Sequence, residues 1–147
     1  MITQNDLISL ITASNLAGFN VDINDIQLLH WEAGIQTHVP QRLPHESAAV
    51  YIFKWNDSYL KVGKANENSN ARYQSQHYNA ESSISNLSRS LLNDAEFQAM
   101  LGEITTSEWL RTNTNRFNII IPSRLGKKFV HFTEAFFILK CNPIYEA

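Results

Sequence analysis

The spacing of apolar positions changes along the chain, and each change marks an element. Leu7, Leu10, Ile11 and Leu16 recur near helical spacing and Gly18 follows as a stop, which predicts a helix over residues 4–17. Residues 22–32 read as a second short helix capped by Asp22 or Asn24. Residues 33–47, with Gly34, Pro40 and Pro44, read as a connector. From Ala48 the pattern turns strand-like. Residues 50–55 are rich in β-branched and aromatic side chains, Asn56, Asp57 and Ser58 carry turn chemistry, and residues 59–63 return as the second arm of a hairpin. With those three residues as the loop, Trp55 faces Tyr59, Phe53 faces Lys61 and Tyr51 faces Gly63. Strand alternation then puts Tyr51, Phe53, Lys61 and Gly63 on one face of the sheet.

The rest of the pattern is mostly helical. A helix opening at Asn68 or Ser69 carries Arg72 and extends towards His77, and residues 79–83 form a loop. Ile84, Leu87, Leu91 and Leu92 mark a further helix. Asp94 caps one with Phe97, Met100 and Leu101 that stops at Gly102, and Ser107 caps a short turn with Trp109 and Leu110. Residues 117–121 form a third strand closed by Pro122. Residues 129–139 are apolar on almost every helical face, which predicts a helix buried all round with Glu134 in its middle. A carboxylate there needs a basic partner, a metal or a proton. The expected architecture is therefore α+β: a small three-stranded antiparallel sheet flanked by helices over residues 48–147, preceded by a helical N-terminal extension over residues 1–47.

Composition narrows the function classes. A chain of 147 residues with 44% hydrophobic and 18% charged residues suits one globular domain. Its longest apolar run, residues 48–53, is far short of a membrane span, so no membrane partner is expected. The first residues lack the basic start and apolar core of a secretory signal. The single cysteine, Cys141, excludes an internal disulfide framework, so a reducing, cytoplasmic setting is expected. One Cys and five scattered His give no zinc-ligand spacing. The net charge is −2, with five acids against one base in residues 1–49 and eleven bases against nine acids in residues 50–147. That permits only a local basic face on the second part. The acidic first part suits a protein partner, a second copy in a homodimer or core packing better than a grip on DNA.

The chemistry-bearing residues fall into a recognisable order. Tyr51 lies in the first predicted strand, between Val50 and Ile52. Lys61, Val62, Gly63, Lys64 and Ala65 end the second. Arg72 follows nine residues after Gly63, Glu134 sits in the last helix, and Pro143 comes nine residues later. Over residues 48–146 this resembles the GIY-YIG nuclease family. The chain departs from that pattern at Ala49, which replaces a glycine, at Lys61, which replaces the second tyrosine, and at Glu146, where the family has an asparagine. The resemblance implies a DNA endonuclease dependent on Mg²⁺ (or Mn²⁺). Glu134 would hold the metal, and a single carboxylate suits an ion that keeps much of its hydration shell. Tyr51 would act as general base or orient the water. A free tyrosine ionises near about pH 10, so a nearby cation would have to lower it, and Lys61 on the same face is the expected source. Arg72 would grip the scissile phosphate with its planar fork. His77 would assist the phosphate or the leaving group, Lys64 would contact DNA, and Gly63 would let the backbone approach it closely. The alternative is a catalytically weakened member that binds nucleic acid or protein without cutting, to which the replacements at Lys61 and Glu146 and the net negative charge point.

Overall fold

Four strands form one antiparallel sheet: β1 (Gln27–Trp31), β2 (Ser47–Trp55), β3 (Ser58–Ala65) and β4 (Asn115–Pro122), in the order β1-β4-β2-β3. They belong to a computed structural model that describes residues 1–35, 42–74, 78 and 87–145. The two central strands carry the longest buried runs, Ser47 to Phe53 in β2 and Arg116 to Ile121 in β4. A strand covered on both faces reads as continuous rather than alternating hydrophobicity.

The sheet has four strands rather than the expected three, because β1 occupies the segment read as a second helix. Only Ile23–Asp25 turns there, as one 3₁₀ turn capped by the Asp22 side chain. Leu28 packs into one core and Leu29 into the other, the alternation of a strand, but five residues are too few for the period to declare itself. The hairpin loop is also shorter than expected. Trp55 pairs with Ser58, leaving Asn56 and Asp57 as the turn, with Asn56 in the left-handed region at φ 51°. An irregularity between Phe53 and Lys54 absorbs the difference, so the expected pairs Phe53–Lys61 and Tyr51–Gly63 form.

Helices cover both faces. On one lie α1 (Gln4–Leu16) and α6 (Lys127–Cys141), packed with Leu7, Leu10, Val50, Ile52, Phe117 and Phe129. A capping box between Thr3 and Asp6 starts α1, and Asp6 also binds Lys140 of α6 at 3.0 Å. The last helix is not buried all round. One stripe, including Phe129, Thr133 and Phe137, meets the sheet, while Leu139 on the opposite side is 84% exposed. Ile2, Leu7, Leu10, Val21 and Ile26 belong to the same core as the sheet, so the boundary expected at residue 47 does not divide the core. The segment is also not purely helical, since it contributes β1.

The other face carries α2 (Asn70–Gln74), α3 (Leu87–Leu92), α4 (Ala95–Leu101) and α5 (Thr106–Asn113). Asp94 caps α4 as expected, accepting from the amides of Glu96 and Phe97. The cap of α5 is Thr105 rather than Ser107, and the short turn expected there is a helix of eight residues anchored by buried Trp109 and Leu110. Trp55, Phe97 and Trp109 meet edge to face with centroids 4.5–5.5 Å apart, closing this second core. Among the described residues no helix is long and apolar enough to cross a membrane.

Candidate functional site

Sheet register aligns the relevant side chains in two rows. Leu29, Asn118, Tyr51 and Gly63 form one row across all four strands, and Trp31, Arg116, Phe53 and Lys61 form the next. Tyr51 is fully buried on the α2–α5 face. Its ring lies over Gly63, where an added Cβ would sit 2.5 Å from the phenol oxygen and 2.7 Å from two ring carbons. Gly63 has no positive φ, so the absence of a side chain, not backbone freedom, is what the position requires. The Arg72 guanidinium lies near enough to the Tyr51 phenol to pull its pKa down, and its Nε donates to the Lys64 carbonyl at 3.2 Å. The helix that carries Arg72 is thereby tied to the edge strand β3.

Glu134 comes from the opposite face. Its Oε1 accepts from Lys64 Nζ at 2.9 Å, with the two side chains 21% and 26% exposed. Lys64 pairs with Val50, a residue of the α1–α6 core, so the ion pair forms on the α6 side of the β3 edge. Its carboxylate is close enough to act on the Tyr51 phenol around that edge. The basic partner that a carboxylate in this helix demands is therefore Lys64.

The electrostatics of Tyr51 differ from expectation. Burial pushes its phenol up to about 12; Arg72 and Arg116 pull it down, and Glu134 pushes it further up. Arg72 and Arg116 lead the cations acting on it, and burial outweighs them, so the phenol is less acidic than a free tyrosine rather than more. Lys61 is itself buried, one row away, and its ammonium donates to the carbonyl of Tyr145 at 3.1 Å. The amides of Ile144 and Tyr145 bind the Tyr59 and Leu60 carbonyls at 2.9 and 3.0 Å, which lays the C-terminal segment along this part of β3. Tyr51, Gly63, Lys64, Arg72 and Glu134 thus gather at the β3 edge, while Lys61 turns towards the C-terminal segment. His77 and Glu146 lie outside the described residues.

Arg116 was not expected. It sits at the start of β4, fully buried, with its guanidinium 5.6 Å from the Tyr51 ring centroid. A strand begun at residue 117 leaves it out. The alternation of Arg116, Asn118 and Ile120 against Phe117, Ile119 and Ile121 is the signal that places it on the Tyr51 face.

Among the described residues no three His, Cys, Asp or Glu side chains gather as a metal cluster. Glu134 offers a carboxylate oxygen at this edge, with Oε2 left over from the Lys64 pair. That donor set fits a magnesium-like ion that keeps most of its waters and takes further oxygens from a phosphate, and it fits no ion needing a full protein cage. No family model, curated protein or solved structure matches the chain.

Proposed function

We propose that the chain is a divalent-metal-dependent DNA endonuclease of the GIY-YIG type, acting at the β3 edge. The observation that carries the reading is the gathering of a tyrosine, an arginine whose charge acts on it and a carboxylate around Gly63 and Lys64. Phosphodiester hydrolysis needs those three functions: a group at the attacking water, a cation on the phosphate, and an anion to hold a metal. Arg72 and Lys64, both half-buried, present two positive charges to an approaching phosphate. At neutral pH Tyr51 is protonated, so it enters the reaction as a hydrogen-bonding group that orients the water. It gives up its proton only as the cations beside it stabilise the phenolate. A metal on Glu134 would supply Lewis acidity at the phosphate.

A second reading has its own support. Tyr51 is sealed from solvent and Glu134 is held by Lys64, an arrangement that equally serves a domain that binds nucleic acid or protein without cutting. Incubation of purified protein with plasmid and single-stranded DNA, with and without Mg²⁺ or Mn²⁺, separates the two. Metal-dependent cleavage that is lost in Glu134→Gln and reduced in Tyr51→Phe supports the nuclease. Retention of DNA without cleavage under every metal and DNA form supports the binding domain.

A further inference from the structure

Arginine remains protonated in proteins, and taking its charge out of water is strongly unfavourable without a carboxylate or dense hydrogen bonding. Arg116 is fully buried and, among the described residues, has no carboxylate partner. Its Nε donates to Asn118 Oδ1 at 2.9 Å, its Nη1 to the Tyr78 hydroxyl at 2.9 Å, and its Nη2 to the backbone carbonyl of Tyr73. The rings of Tyr51, Phe53, Tyr73 and Tyr78 surround it with centroids 5.2–5.6 Å from the guanidinium carbon. Dipoles and ring faces therefore compensate the charge, and its field persists in a low-dielectric layer between sheet and helices.

A packing role alone does not call for a cation here. Ala49, Phe53 and Ile120 on the same face are apolar, and an unbranched apolar side chain fills an aromatic cage as well. Two features point the charge towards the site instead. The Arg116 row adjoins the Tyr51 row, and the bond to Tyr73 fastens α2, the helix that carries Arg72. We propose that Arg116 is a positioning residue for Tyr51, which holds the ring over Gly63 and stabilises negative charge on the phenol oxygen from the β4 side, as Arg72 does from the β3 side. Its purpose rests on the nuclease reading; its test does not.

Among the described residues, the charged and titratable groups around Tyr51 include Arg116 of β4, Arg72 and Tyr73 of α2, Tyr78, Lys61 and Lys64 of β3, and Glu134 of α6. The test introduces a fluorinated, more acidic tyrosine at position 51. Its ionisation is followed by ¹⁹F NMR in metal-free, DNA-free protein, with Arg116, Arg116→Lys, Arg116→Gln and Arg116→Met. Removing a buried cation beside the phenol should raise the midpoint by roughly one pH unit or more in the two neutral variants, and Lys should restore most of the shift. A midpoint that stays put in a folded neutral variant overturns the proposal. So does a chain that fails to fold with Lys, Gln and Met alike, because Arg116 would then be a strut that only the guanidinium can supply. Neither outcome depends on whether the protein cuts DNA.

Discussion

Gly63→Ala tests the geometry at the centre of the site. The new methyl would lie 2.5–2.7 Å from the Tyr51 phenol, closer than side chains approach one another. The ring has little room to retreat, because Phe53 meets it edge-on at 6.2 Å and Arg116 lies at 5.6 Å. Relief requires the phenol to leave Arg72, or β3 to move. Overpacking of this kind costs about 1–3 kcal/mol. Against that, alanine is favoured over glycine in a strand by roughly 0.5–1 kcal/mol. The net expectation is a loss of about 1 kcal/mol, read by urea unfolding of both proteins. A Tyr51→Leu background separates clash from backbone effects, since a leucine at position 51 lacks the ring that reaches over Gly63. There the alanine should cost nothing or stabilise slightly. Equal penalties in both backgrounds, or a Gly63→Ala protein as stable as the parent, would refute the close approach.

Other expectations concern charge. The Tyr51 phenol, raised from 10.0 to about 12, contributes stability that is full below about pH 10 and disappears as pH rises through 12. A rise from 10.0 to about 12 corresponds to roughly 3 kcal/mol, so urea midpoints should fall as pH climbs through that window, and fall less in Tyr51→Phe. Parallel profiles would contradict this. Burial raises the Asp6 carboxyl, but the Thr3 amide and Lys140 outweigh it and hold the carboxyl below 3.8. Its contribution is therefore present above that value and lost as pH falls further. Asp6→Asn should cost about 1 kcal/mol at neutral pH and flatten the acid limb of a stability profile, and an acid limb as steep as the parent's would count against it. Lys61→Met should change the pH dependence of any cleavage little, since Arg72 and Arg116 lead the cations acting on Tyr51 and the Lys61 ammonium donates to the Tyr145 carbonyl; a shifted optimum would give Lys61 the role of tuning the phenol.

Features set by local chemistry were legible in the sequence. The Asp94 cap, the Gly102 stop and the pairing of Tyr51 with Gly63 follow from side-chain types at fixed offsets, and one irregularity in the hairpin compensates for a loop one residue shorter than expected. What depended on distant packing was not. The strand β1 exists because β4 offers it an edge, and its five residues carry too few turns of any period to announce it. The exposure of Leu139 follows from α6 meeting the sheet on one side only, which an apolar run cannot reveal. The cations that lead in pulling on Tyr51 come from α2 and β4, which proximity along the hairpin does not reveal, while the Lys61 ammonium donates to the Tyr145 carbonyl.

Two closed features separate the cutting and binding readings, and they do not resist opening equally. The Lys64–Glu134 pair is partly exposed, and such pairs contribute about 0–1 kcal/mol. A phosphate arriving at the edge can take Lys64 and release the carboxylate for a metal at little cost. Tyr51 is different. It is fully buried, with Phe53 and Arg116 against its ring and Arg72 close enough to act on its phenol. Arg72 is also the residue that a phosphate would recruit. If the chain cuts DNA, substrate binding and exposure of the tyrosine would then be one event, in which the phosphate draws Arg72 away from the phenol. On that logic Arg72→Lys, which keeps the charge but loses the planar fork, should bind DNA with a similar salt dependence yet lose most of the cleavage rate. Undiminished cleavage by Arg72→Lys would break the link between phosphate capture and access to Tyr51.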